Sequence, residues 1–242
     1  KLLRFHGVDK KTQNRVAVSI LYYLYMSYGY LTANQGYNIR MFRSENPDGP
    51  YVDAAGKEAT WGSSGHNGIG VKVLGSYNLP CLAYKYMAPG HNSALIDDDK
   101  MFLVYHQRFS TGNEGHELRV HQMLMNENGW PCVLPYEYTG ETVADGYKKD
   151  EVAGTYYMIK QDPNDNTSAV EYNAVALNDD GTLSGYLKGS WEMKDNSIYL
   201  SIKCGTATYQ GVICEMKDEA GTDCMAISLI GENNCSLLGV KY

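Results

Sequence analysis

Short runs of alternating or continuous apolar residues, separated by clusters of turn formers, dominate the chain. Tyr22 to Tyr28 (YYLYMSY) is apolar or aromatic at both odd and even positions, which predicts a strand covered on both faces. Tyr37 to Arg43 (YNIRMFR) alternates and runs into the turn Asn46-Pro47-Asp48-Gly49-Pro50. Met101 to His106 follows Asp97-Asp98-Asp99. Glu117 to Met125 puts Leu118, Val120 and Leu124 on one face and Glu117, Arg119 and His121 on the other, a polar face open to burial. Beyond Gly140-Glu141, about eight short strands are predicted, from Gly154–Lys160 to Ser236–Lys241. Their joints are Asp162-Pro163-Asn164-Asp165, Asn178-Asp179-Asp180-Gly181 and Asp195-Asn196. Such spacing predicts a barrel or a sandwich. No helical period persists for three turns, so the fold class expected is all-β.

Composition divides the chain further. Its 242 residues are long for one domain and comfortable for two, and 43% hydrophobic content supplies a packed core. No apolar run approaches the length of a membrane-spanning helix. The net charge of −7 argues against nucleic acid as a partner. That charge is uneven. Residues 1–141 carry 13 basic and 13 acidic side chains and all six histidines, whereas residues 142–242 carry 8 basic and 15 acidic ones, with no Arg and no His. Imidazole chemistry therefore belongs to the first segment.

The first residue is Lys1, and residues 1–19 hold five basic residues and one acid without an apolar signal core. The six cysteines (81, 132, 204, 214, 224, 235) form no C-x-x-C pair, which argues against a zinc site. The last four recur every 10 or 11 residues, a spacing open to disulfides between neighbouring strands or to buried free thiols. Asp97-Asp98-Asp99 lacks the spacing of a calcium loop and reads as a turn.

Ordered, closely spaced motifs point to a family. They are Tyr22–Gly29, Tyr37-Asn38-Ile39-Arg40, Arg43-Ser44 with Gly49-Pro50-Tyr51, Ala88-Pro89-Gly90-His91-Asn92-Ser93-Ala94-Leu95, Phe102–His106 and Glu117–Met123. Together, over roughly residues 21–141, they resemble glycoside hydrolase family 43, and within it the extracellular endo-α-1,5-L-arabinanases. Residues 142–242 resemble, more loosely, the β-barrel domain that follows the propeller in longer members, through Trp191, Gly211-Val212 and Gly239-Val240-Lys241. The resemblance implies an unmatched leader at 1–19, the later blades of a five-bladed β-propeller at 20–141, and a C-terminal β-barrel at 142–242. It also implies extracellular or periplasmic localisation, arabinan or arabino-oligosaccharide as partner, and an N-terminal portion of the same protein beyond this sequence.

The family cleaves glycosidic bonds with inversion, using a carboxylic acid and a carboxylate about 6.5–9.5 Å apart with water between them. A third acidic residue tunes the acid. The resemblance places the base and the tuning Asp in earlier blades and the acidic Glu shortly before Leu21. Lys10 to Ser19 contain no carboxylate, and Asp9 stands in no matching motif. No catalytic residue is therefore expected in this chain. Truncation explains the gap, as does divergence into a non-catalytic carbohydrate-binding or structural module. His91 matches the histidine that holds a cation, taken as calcium, largely through waters. The alternative is a hydrogen-bonded His in a loop before a strand. Tyr28 (with Tyr30), Asn92 (with Ser93) and Arg108 are candidate sugar contacts, against core packing, turn satisfaction and solvation respectively. His66, in a Gly-rich loop, is a further candidate; His106, His116 and His121 read as structural.

Overall fold

The computed structural model describes residues 2–4 (backbone only), 21–60, 68–164 and 168–242. Asp9 and His66 lie outside them. Two four-stranded antiparallel sheets come first, each a meander of the kind that makes a propeller blade. The first comprises β1 (Leu2–Arg4), β2 (Tyr22–Tyr28), β3 (Asn38–Ser44) and β4 (Val71–Leu74), in that order. β1 pairs Leu2 with Leu24, so the leader contributes a strand that its sequence did not announce. The second comprises β5 (Tyr86–Asp97), β6 (Lys100–Phe109), β7 (His116–Met125) and β8 (Pro131–Val133). A single helical turn, α1 (Lys149–Val152), leads into the barrel.

The barrel strands are β9 (Gly154–Gln161), β10 (Asn173–Leu177), β11 (Thr182–Gly185), β12 (Gly189–Met193), β13 (Tyr199–Cys204), β14 (Ala207–Lys217), β15 (Asp223–Gly231) and β16 (Ser236–Lys241). β9 pairs with both β10 and β16, which closes the ring. All six cysteines are free. Local chemistry sets the turns. Asp218 Oδ1 accepts from the Ala220 and Thr222 amides while Gly221 takes φ +81, which fixes the β14–β15 hairpin.

The facing of one strand differs from expectation, and that of another is decided by its polar groups. β2 alternates instead of being covered on both sides: Tyr23 and Tyr25 are buried against the second sheet, with Tyr25 Oη on Met123 Sδ at 3.3 Å, whereas Met26 is exposed. In β7 the buried face is the one carrying His121 and Met123, and Leu118 is 67% exposed. His121 tolerates burial because both ring nitrogens are bonded, to Tyr105 Oη at 3.0 Å and the Leu134 carbonyl at 2.7 Å.

One core runs through both sheets and onto the outside of the barrel, through Ile159, Val212, Cys214, Met216, Ala226, Leu238 and Val240. A second fills the barrel, around Trp191, Tyr156, Ile213 and Ile227. β14 to β16 are therefore apolar on both faces, because one face lines the barrel and the other docks on the blades.

Polar bolts lock that junction. Arg40, buried, donates to the carbonyls of Ile69 at 2.5 Å and Pro163 at 2.8 Å. Lys72 Nζ, also buried, reaches the Asp162 carbonyl at 3.2 Å. Asn234, from the β15–β16 turn, donates to Asp53 Oδ2 at 2.8 Å and to the Gly68 carbonyl at 3.2 Å, and accepts from the Ala55 amide at 3.2 Å.

Candidate functional site

The motif Gly90-His91-Asn92 lies in β5 where the strand breaks register twice, between Met87 and Gly90 and between Gly90 and Ser93. Ala88 and His91 both take left-handed backbone, φ 47 and 51. Each costs about 1 kcal/mol for a residue with a Cβ, and such strain gathers at functional positions. The kinks turn His91 out to solvent, where it is exposed. Ser27 on β2 secures the bend: its Oγ accepts from the His91 amide at 2.9 Å and donates to Asn92 Oδ1 at 2.9 Å. Asn92 Nδ2 is buried without a partner among the described residues.

Gly90 is required by its neighbour. A Cβ there would lie 2.0 Å from Tyr37 Cε1, so only glycine lets the Tyr37 ring lie across β5. Tyr37 stacks on His106, with centroids 5.7 Å apart and planes at 26°. His106 in turn stands 6.3 Å from His91 and 5.3 Å from His116. Tyr37, just before β3, and the histidines of β5, β6 and β7 thus form a row of four rings centred on His106. Burial, reinforced by the nearby Arg108, His116 and His91, pushes the His106 imidazole down to about 4. It is neutral at physiological pH, and its Nε2 has no partner among the described residues.

Arg108 ends the row. It follows His106 by two positions on β6, hence on the same face, and pairs in register with His116. Its Nη1 approaches His116 Nδ1 at 3.3 Å. Only 7% exposed, it donates to the carbonyls of Leu31 at 2.8 Å and Glu114 at 3.0 Å, and its Nε lies 3.1 Å from the Glu114 carboxylate. Glu114 also accepts from the Ala33 amide at 3.0 Å. Arg108 and Glu114 therefore tie loop 29–36 to loop 110–115 and hold up Tyr30, which is 74% exposed.

Of the residues singled out from sequence, His91 and Asn92 come together and Arg108 joins them through His106 and His116. Tyr28 does not join. Ser27 faces the bend, so Tyr28 points the other way and lies under the Arg40 guanidinium, 4.5 Å from its ring centroid. Burial holds its hydroxyl above the usual phenol range despite that charge. Tyr37, His106 and His116 were missed as site residues; the i, i+2 spacing of His106 and Arg108 was the signal available.

The row offers flat rings, hydroxyl and amide groups and the Arg108 guanidinium, a surface suited to a polyhydroxylated neutral ligand. It does not make a calcium site by itself. Calcium takes six to eight oxygens. No group of three His, Cys, Asp or Glu among the described residues is placed to hold a metal ion. The carboxylate touching the row, Glu114, is engaged by Arg108 and Ala33. No helix among the described residues is long and apolar enough to cross a membrane.

Comparison with known proteins gives this geometry its context. The family GH43_C, a C-terminal lipocalin-like domain, matches residues 135–239. The chain is 37% identical over 235 residues to the extracellular endo-α-(1→5)-L-arabinanase 2 of Bacillus subtilis, covering 91% of this chain and 50% of that protein. It is 38% identical over 205 residues to the extracellular endo-α-(1→5)-L-arabinanase of Thermotoga petrophila, covering 79% and 43%. The solved glycoside hydrolase family 43 YxiA protein of Bacillus licheniformis superposes with a TM-score of 0.85 at 36% identity, over 91% of this chain and 52% of that one. The Thermotoga petrophila endo-1,5-α-L-arabinanase structure gives 0.85 at 31%, over 100% and 53%. The chain spans about half the length of the curated relatives it matches. With two blade-like sheets, the docked barrel and these matches, the chain is similar along its length to glycoside hydrolase family 43 proteins, and residues 135–239 match the family's C-terminal domain.

Proposed function

We propose that this chain forms one wall of the arabinan cleft of a secreted, inverting endo-α-1,5-L-arabinanase. The acid and base carboxylates come from chain outside these 242 residues. The observation that carries the proposal is the row of Tyr37, His91 and His116 around His106, built on two kinked, left-handed positions and braced by Arg108. In this reading the row cradles successive arabinofuranosyl rings, and Asn92 and His91 offer hydrogen bonds to their hydroxyls. Arg108 acts as a positioning residue that fixes Tyr30 and Leu31 at the lip of the cleft. Inversion then needs only that the missing pair flank the scissile bond across this floor, with room for a water. A cation at His91 would need waters and oxygen ligands beyond those beside it here, and no step is routed through one. The relatives are named extracellular endo-α-(1→5)-L-arabinanases, and extracellular action, on plant cell-wall arabinan, belongs to the same proposal.

Imidazole resonances provide the test. Titration with a linear α-1,5-arabino-oligosaccharide is expected to shift His91, His106 and His116 while leaving the buried His121 in place. A β-1,4-galacto-oligosaccharide of equal length is expected to shift none of them. Unmoved His91, His106 and His116 signals at saturating arabino-oligosaccharide overturn the reading.

A further inference from the structure

The β6–β7 ribbon has a second face. Alternation puts His106, Arg108 and His116 on the side of the row, and Phe109, Glu117 and Arg119 on the reverse. There they line a cavity of about 340 Å3 closed by Tyr84, Tyr86 and, from the barrel's β14–β15 turn, Glu219. A volume in this range admits a small ligand.

The lining is chemically selective. Arg119 forms the floor, with Nη1 on Glu137 at 2.7 Å and Nη2 on Glu117 at 3.0 Å, and its guanidinium 5.4 Å from the Phe109 ring centroid. Glu219 accepts from Tyr86 Oη and, at 3.3 Å, from the Glu137 amide. Three carboxylates thus surround one guanidinium whose terminal nitrogens are already engaged. An anion meets that excess of negative charge, and a purely apolar ligand would strip water from acceptors it cannot satisfy. Among the described residues no trio is arranged to hold a metal ion. A neutral polyol fits: its hydroxyls donate to Glu117 and Glu219 while its C–H faces lie on Phe109 and on Tyr84, which is 56% exposed at the rim.

We propose that this cavity is a second saccharide site, non-catalytic and on the reverse of the ribbon that carries the histidine row. The ligand class, a neutral saccharide, stands on the cavity; its identity as arabinan rests on the proposed function. The site would anchor the polysaccharide to the enzyme without contacting the scissile bond.

Native gels cast with linear arabinan, galactan or xylan test it on the intact 242-residue chain. Retardation by arabinan is expected. Tyr84→Ala and Glu117→Gln are each expected to weaken it on the order of tenfold with unchanged melting temperature. His91→Ala is expected to leave a retarded species, and high salt to change little, because a neutral ligand is indifferent to screening. Retardation by galactan or xylan in place of arabinan, still lost in Tyr84→Ala, upholds the saccharide site and removes arabinan as its ligand. Absence of retardation in all three gels overturns the site, as does unaltered retardation of both cavity variants or release by salt. Retardation abolished by His91→Ala alone also overturns it, while leaving the cleft reading in place.

Discussion

Replacing Asn234 should separate the blades from the barrel. Its side chain is buried and makes three hydrogen bonds across the junction, to Asp53 Oδ2 at 2.8 Å, the Gly68 carbonyl at 3.2 Å and the Ala55 amide at 3.2 Å. Its backbone sits at φ 67 and its carbonyl accepts from the Lys72 amide at 3.0 Å. Asn234→Ala keeps the carbonyl bond but leaves Asp53 Oδ2 with the Gly70 amide alone. A hydrogen bond to a charged group is worth about 1.5–3 kcal/mol, and a left-handed alanine costs about 1 kcal/mol more. The loss expected is about 2.5–4 kcal/mol. Asn234→Gly, free of the backbone cost, should lose about 1 kcal/mol less. Asn234→Asp sets a second carboxylate against buried Asp53 and should be the worst of the three. Urea unfolding followed by tryptophan fluorescence reads all three, since Trp130 reports on the blades and Trp191 on the barrel. The wild type should unfold in one transition and Asn234→Asp in two. Asn234→Ala within about 0.5 kcal/mol of wild type, or Asn234→Asp matching wild type, would refute the bolt.

Three further outcomes are expected. Gly90→Ala should displace Tyr37, whose ring lies 2.0 Å from the new Cβ, at a cost of about 1–3 kcal/mol, read as a lowered Tm. Tyr37→Ala in the same chain should cancel part of that loss, and strict additivity would contradict the clash. Burial holds the His121 imidazole down at about 4. The Leu134 carbonyl can only accept, so Nδ1 carries the proton and Nε2 accepts from Tyr105 Oη. Below the ordinary value near 6.5 the unfolded chain binds a proton that the folded one refuses, so this contribution is intact above pH 6.5 and drains away towards pH 4, on the order of 3 kcal/mol in all. Urea midpoints across that window should fall less steeply in His121→Gln, and equal slopes would refute the assignment. Arg108→Met should loosen loops 29–36 and 110–115, seen as faster amide exchange at Leu31 and Ala33 with barrel exchange unchanged.

Local chemistry made the barrel legible. Its hairpins are closed by Asn178–Gly181 and Asp218–Gly221, whose side chains bond their own turn, and its docked strands carry apolar residues at both odd and even positions. The blade strands were legible in extent but less so in facing, because the row of Leu118, Val120 and Leu124 competes with Arg119, His121 and Met123 for the core. Satisfied hydrogen bonds settle the contest for His121. His91 and Asn92 stood in a contiguous motif. The rest of the row did not, because Tyr37, His106 and His116 meet only through the β6–β7 register and the double bulge at Gly90. The junction was illegible for the same reason: Asp53 and Asn234 are 181 residues apart, and a buried Arg40 or Lys72 looks in sequence like any surface cation.

In the proposed function this chain supplies the floor of an arabinan cleft, and the acid and base that cut the polymer come from elsewhere. Incubating the purified 242-residue chain with linear arabinan and assaying reducing ends tests it most directly. The expectation is release no greater than the enzyme-free blank. Release proportional to the amount of chain, abolished by Glu114→Gln, would contradict the claim and place a working carboxylate on the histidine row itself.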